Sequence, residues 1–160
     1  IYGIETIGLR YFNVFGRKQD TEGAYAAVIP KFVKKLIDGE SPVINGDGTY
    51  SRDFTYIDNV IQANLLSLTT KDQNSLNTVY NIACGERNSL NNLVKSIKNC
   101  LSKYNNEIKN IEVIYGPYRA GDIPHSHASI DKAKKLLKYN PYFNLSLGLE
   151  KAVEWYWKNL

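Results

Sequence analysis

The stretch 44-INGDGTYSRDFTYIDN-59 carries a strand end, a reversal and a helix start in succession. An apolar run stops at Ile44, and two turn dipeptides follow, Asn45-Gly46 and Asp47-Gly48. Gly and Asn accept positive φ at low steric cost, so the backbone reverses here. After Phe54 the positions Ile57, Val60, Ile61, Leu65 and Leu68 recur at helical spacing and predict an amphipathic helix. Between turn and helix stands Arg52, flanked by Asp53 and by aromatic residues. A guanidinium beside a Gly-rich turn can give a phosphate two parallel hydrogen bonds. A surface ion pair with Asp53 is the alternative, and such pairs are common and worth little.

Working outward, Thr6 to Phe12 is a β-branched and aromatic run suited to a buried strand, ending at Asn13-Val14-Phe15-Gly16. Open α/β sheets build ligand sites just past the carboxyl ends of their strands, which makes Asn13 a candidate contact. Val28, Ile29, Phe32, Val33, Leu36 and Ile37 predict a helix with Pro30 in its first turn and Gly39 closing it. Pro42 to Ile44 reads as a short strand into the central turn. Beyond it, Val79 to Cys84 is nearly all apolar, as expected of a strand covered on both faces and ended by Gly85. Ser89 can cap a helix whose stripe runs through Leu90, Leu93, Val94, Ile97, Cys100, Leu101 and Tyr104. Ile111 to Tyr115 adds a strand, and shorter helices are expected at 131–138 and 146–157. Strand and helix alternate throughout, which predicts an α/β fold with a parallel sheet. No repeat or linker interrupts 1–160, so a single unit is expected.

The net charge is +4, and the lysines are scattered rather than blocked, so nucleic acid is not an expected partner. No run of 18 apolar residues suggests a membrane partner. Cys84 and Cys100 lack C-x-x-C spacing and sit in apolar patterns, which predicts free buried thiols and a reducing, cytoplasmic setting. The opening Ile1-Tyr2-Gly3 has no initiator Met, and a true N-terminus is not expected there.

A second loop, Gly116-Pro117-Tyr118-Arg119-Ala120-Gly121-Asp122, places Arg119 three residues before Asp122. A ligand with phosphates and vicinal hydroxyls would use both, the guanidinium for phosphate and the carboxylate for ribose. A salt bridge inside the loop is the alternative. His125 and His127 share a face in an extended segment but lack a third ligand of matching spacing, and no metal is expected. Trp155-Tyr156-Trp157 reads as packing rather than as a stacking platform.

Leu9-Arg10-Tyr11-Phe12-Asn13-Val14-Phe15-Gly16, Ala27-Val28-Ile29-Pro30-Lys31, Ile44-Asn45-Gly46-Asp47-Gly48, Ser51-Arg52-Asp53-Phe54, Tyr80-Asn81-Ile82-Ala83 and Arg119-Ala120-Gly121-Asp122 stand in a telling order. In that order they resemble the C-terminal half of extended short-chain dehydrogenases acting on nucleotide sugars, and most of all the UDP-N-acetylglucosamine 4-epimerases of bacterial polysaccharide pathways. The resemblance implies that Tyr11 and Phe12 line the nicotinamide side of NAD. It implies that Asn13, Val28, Asn45 and, less directly, Gln19 approach the UDP-sugar, that Arg52 and Arg119 hold its diphosphate, and that Asp122 takes the ribose. Ser126 falls where such enzymes gate the sugar's 2-substituent, and a small residue there implies room for an N-acetyl group. An intact enzyme of this kind would be a homodimer.

The family's cofactor half carries a Gly-rich phosphate turn and a Tyr-x-x-x-Lys catalytic motif. Neither is found here: none of the 12 tyrosines has a Lys four residues later. The 160 residues alone are therefore expected to be inactive. Two other readings stay open, a related nucleotide-sugar dehydratase or decarboxylase, and a sugar-nucleotide binding module without catalysis.

Overall fold

Residues 2–22 and 27–160 are described by a computed structural model, in which strands and helices alternate along the chain. The order is β1 (Ile7–Tyr11), β2 (Val14–Phe15), α1 (Val28–Ile37), β3 (Val43–Asn45), β4 (Ser51–Arg52), β5 (Thr55–Tyr56), α2 (Ile57–Thr69), β6 (Thr78–Ile82), β7 (Asn88–Ser89), α3 (Leu90–Leu101), β8 (Ile114–Gly116) and α4 (Leu145–Asn159). The α/β reading holds, but the strands do not assemble into one parallel sheet. Among the described residues they pair two by two. The pairs β1–β6, β2–β5 and β3–β8 are parallel and β4–β7 is antiparallel.

The helices start and stop where side-chain chemistry requires. Ser89 caps α3 by accepting from the Asn92 amide, and Asn144 caps α4 by accepting from Leu147. Pro30 lies in the first turn of α1, where its missing N–H costs nothing, and Gly39 leaves that helix at φ +77. The segment at 131–138 begins as α-helix, turns into a π-turn over Ala133–Leu137, and ends at Lys138 in the left-handed region.

Two hydrophobic clusters result. The first packs α1, α3 and α4 around Phe15, Ile44 and Tyr56. The second joins α2, β1, β6 and the π-turn around Tyr80 and Ile82, with Ile57 touching both. Each large aliphatic side chain withdrawn completely, such as Leu36 or Leu149, contributes about 1.5–3 kcal/mol.

Three expectations need correction. The apolar stripe of α2 is its buried face only in part: Val60 is buried and Ile57 packs on both clusters, but Ile61, Leu65 and Leu68 are exposed, and Asn59 and Ala63 are buried in their stead. Strand β6 is not covered on both faces, since Val79 remains 42% exposed. Tyr104 lies just beyond α3 and is exposed, its ring stacked on Trp157 at 5.3 Å. Cys84 and Cys100 are free thiols, the first half-buried and the second buried.

The pairings fix the two key loops side by side. Strand β3 runs parallel to β8, so Asn45 faces Gly116 and the 46–48 turn emerges beside the 117–122 loop. Strand β4 has β7 as one neighbour, and a bridge between Ser51 and His125 joins it to the segment after that loop.

Candidate functional site

Between these loops and the first turn of α1 lies a cleft of about 350 Å³. Its walls include Val28, Asn45, Arg52, Arg119 and Asp122, brought from four parts of the sequence to one place. Strand β4 and its bridge put Arg52 there, and the β3–β8 register puts Asn45 opposite the loop that bears Arg119 and Asp122.

Neither ion pair weighed from the sequence forms. The Arg52 guanidinium donates to Asp122 Oδ1 at 2.6 Å, to the Ser51 carbonyl at 2.9 Å and to the Pro124 carbonyl at 3.3 Å. The pair spans 70 residues and is largely shielded, with side-chain exposures of 18% and 31%. Asp53 is turned the other way and is fully buried, accepting from the Cys84 and Gly85 amides at 3.0 Å each. Burial holds its carboxyl above the usual range although those amides work against the shift. Burial likewise pushes the Cys84 thiol up to about 12, with the neighbouring Asp53 charge adding to it, which disfavours the nucleophilic thiolate.

Arg119 lines the cleft and makes no ion pair among the described residues. Lys31, on the first turn of α1, lines it too. Three cations thus face one carboxylate across the cleft, and that carboxylate is already held by Arg52. The arrangement suits an anion with several oxygens, which Arg119 and Lys31 can meet without breaking a protein contact. Apolar walls from Phe32 and Leu90 leave room for a less polar portion of the same ligand.

The other residues read from the sequence lie outside this cleft. Asn13 lines a neighbouring hollow of about 170 Å³ that shares Val28 as a wall, and its amide donates to the Asp53 carbonyl at 2.9 Å. Ser126 is half-buried next to the bridge, its amide donating to the Ser51 carbonyl at 3.0 Å. Gln19 donates its amide to the Val14 carbonyl at 3.4 Å. Tyr11 is exposed at the end of β1 with its hydroxyl at Asn64, while Phe12 packs against the second cluster. His125 meets Ser51 Oγ at 2.9 Å, and His127 lies 3.2 Å from the Gly85 carbonyl. Sequence reasoning passed over Lys31 and Leu90. Lys31 was findable, since it follows Val28 by three and so shares its helix face.

The fold and cleft define an α/β chain with a cationic cleft built from two loops and a helix start. This chain belongs to the NAD dependent epimerase/dehydratase family, whose model matches residues 1–83. Among solved structures, it resembles a UDP-N-acetylglucosamine 4-epimerase from Methanobrevibacter ruminantium in complex with UDP-N-acetylmuramic acid. That match has 39% identity and a TM-score of 0.87, over 99% of this chain and 48% of the other. A Thermotoga maritima UDP-glucose 4-epimerase with UDP-glucose also gives a TM-score of 0.87, at 37% identity, over 98% of this chain and 47% of the other. A UDP-N-acetyl-alpha-D-glucosaminuronate decarboxylase of Bacillus cytotoxicus is 25% identical over 98% of this chain and 47% of its own length. The chain therefore spans about half the length of these relatives.

NAD fits the described residues only in part. Tyr11 offers an exposed aromatic wall, but Phe12 is engaged in packing. Gly46 and Gly48 lack a third Gly at the offset of a pyrophosphate-binding turn, and their φ values of +78 and +77 serve the reversal instead. No helix among the described residues is long and apolar enough to cross a membrane.

Proposed function

We propose that residues 1–160 act as one unit, the nucleotide-sugar-binding part of a UDP-N-acetylhexosamine 4-epimerase that interconverts UDP-N-acetylglucosamine and UDP-N-acetylgalactosamine through transient NAD-dependent oxidation at C4. Such an enzyme would work in the cytoplasm, as a homodimer, supplying surface polysaccharide synthesis. The observation that carries the reading is the meeting of Arg52, Arg119 and Lys31 in one cleft beside Asn45 and Val28. There the arginines and Lys31 hold the diphosphate, and Asp122, with one oxygen on Arg52, presents its other to the ribose.

The sugar extends from the diphosphate toward Asn13 and Ser126. Ser126 is joined through the Ser51 carbonyl to the strand that carries Arg52, so its side chain is set relative to the phosphate-holding group. A small hydroxylated side chain leaves space for an acetamido group and can hydrogen-bond it. The Bacillus cytotoxicus decarboxylase relative supports a second reading, a decarboxylase of the same family.

The test is kcat/KM of the full-length protein for UDP-N-acetylhexosamines against UDP-hexoses, in wild type and in Ser126→Tyr. The expected result is a preference for the acetamido pair that Ser126→Tyr abolishes, since a ring cannot enter a packed pocket without displacing its occupant. A variant that keeps its acetamido turnover removes Ser126 from the specificity site. Release of carbon dioxide from a UDP-uronic acid would favour the decarboxylase.

A further inference from the structure

Gly46 is in the left-handed region at φ +78, and a β-carbon built on it would fall 2.4 Å from Cε1 of Tyr118. The Tyr118 ring therefore lies on the bare backbone of the turn, in space that any other residue at 46 would fill. Tyr50 packs against the same ring, with centroids 5.3 Å apart and planes at 43°. The residue is 55% exposed overall, and desolvation of its hydroxyl, with the nearby Asp47 carboxylate adding to it, holds that hydroxyl above its ordinary range. Beneath the ring, the Gly46 amide donates to the Gly116 carbonyl at 2.9 Å, so turn and loop are also tied through the backbone.

Tyr118 immediately precedes Arg119, and the Asp122 amide closes the next turn on the Arg119 carbonyl at 3.2 Å. The ring itself is not among the walls of the cleft. We propose that Tyr118 is a positioning residue that clamps the 117–122 loop onto the 45–48 turn, and that it supports ligand binding through Arg119 rather than by touching the ligand. The ligand part of this inference rests on the cleft being the diphosphate site.

The geometry sets the expected behaviour of each variant. Tyr118→Phe keeps the ring on Gly46 and against Tyr50 and loses only the hydroxyl. Tyr118→Ala removes the clamp, and Gly46→Ala evicts the ring while straining the turn. Two readouts on the full-length protein separate the outcomes, the dissociation constant for UDP and the rate at which trypsin cuts the Arg119–Ala120 bond. Tyr118→Ala is expected to weaken UDP binding about tenfold and to speed that cut by about the same factor, because an unclamped loop opens more often. Gly46→Ala should reproduce both effects and Tyr118→Phe neither. The double variant Tyr118→Ala/Arg119→Ala should bind UDP no more weakly than Arg119→Ala alone.

Losses that add in the double variant would overturn the proposal, since they mean that Tyr118 meets the nucleotide directly. An unchanged cutting rate in Tyr118→Ala would overturn it as well, since no clamp then exists. Should wild type fail to bind UDP, the proposed function falls, while the cutting rates still decide whether Tyr118 holds the loop.

Discussion

At the scale of single residues, Arg52 and Asp53 show how neighbours in sequence part in space. Successive side chains of an extended segment point to opposite faces, so Arg52 turns to the cleft and Asp53 to the interior. The sequence made Arg52, Arg119 and Asp122 recognisable by type and by loop context. It could not reveal that Arg52 takes Asp122, 70 residues on, because that pairing depends on the bridge between Ser51 and His125, which no local pattern marks. If Arg52 holds the diphosphate as proposed, Arg52→Ala in the full-length protein removes a charge-assisted contact to it, and it leaves Asp122 unpaired. KM for the UDP-sugar should rise on the order of tenfold to a hundredfold, with Arg52→Lys rescuing it only in part. An unchanged KM would return Arg52 to a purely structural role. Asp53 gives a pH prediction. Its folded-state pKa is raised by burial, so the folded chain holds this proton more tightly than the unfolded one. Its contribution to stability is then full below the unfolded pKa and declines as pH rises through the folded value. Urea titrations at acid and neutral pH should show wild type gaining on Asp53→Asn as pH falls, and the opposite trend would sink the assignment.

At the scale of elements, the helices with strong apolar stripes, α1 and α3, lie as their period dictates, with Phe32, Val33 and Leu36 of the one and Leu93, Val94 and Ile97 of the other inside. Helix α2 does so only in part. Its inward face carries Ala63 and a polar residue, Asn59, whose amide donates to the Phe143 carbonyl at 2.7 Å and whose oxygen accepts from the Phe143 amide at 3.1 Å. The period does mark Ile57 and Val60, which face inward, but it cannot announce the small residue and the hydrogen-bonded amide that complete this face, which is why it wrongly includes Ile61, Leu65 and Leu68. Helix α4 holds a similar detail at Gly148, where an added β-carbon would lie 2.8 Å from Phe15 Cζ and from Tyr56 Cβ. Gly148→Ala sets two effects against each other. Alanine improves helix propensity by about 1 kcal/mol, whereas overpacking against a stiff Cβ costs about 1–3 kcal/mol. The net expectation is destabilisation on the order of 1 kcal/mol, read as a lower denaturant midpoint at unchanged slope, and a stabilised variant would show that Phe15 and Tyr56 yield freely.

At the scale of the whole molecule, the two clusters differ in how completely these residues enclose them. The first is surrounded by α1, α3 and α4, and the cationic cleft sits on it. The second rests on β1–β6, a parallel pair with no further strand among the described residues, and beside it α2 exposes Ile61, Leu65 and Leu68. Parallel strands are stable when further strands and helices cover them, and an isolated pair is marginal. The relatives are about twice as long as this chain, so in proteins of their length the uncovered side has material to meet it. The sequence revealed the order of strands and helices, but not this asymmetry, since a strand's missing neighbour leaves no trace in its own residues. When the 160 residues are produced alone, amides of β1 and β6 should therefore exchange with solvent at least about tenfold faster than those of α3. The chain should still bind UDP through the cleft. It should not interconvert UDP-N-acetylhexosamines with added NAD, because it carries no Tyr-x-x-x-Lys motif and no pyrophosphate-binding turn. Exchange as slow in β1 as in α3 would show that the pair stands without cover, and measurable turnover would mean that residues within 1–160 supply the base by a route their geometry does not suggest.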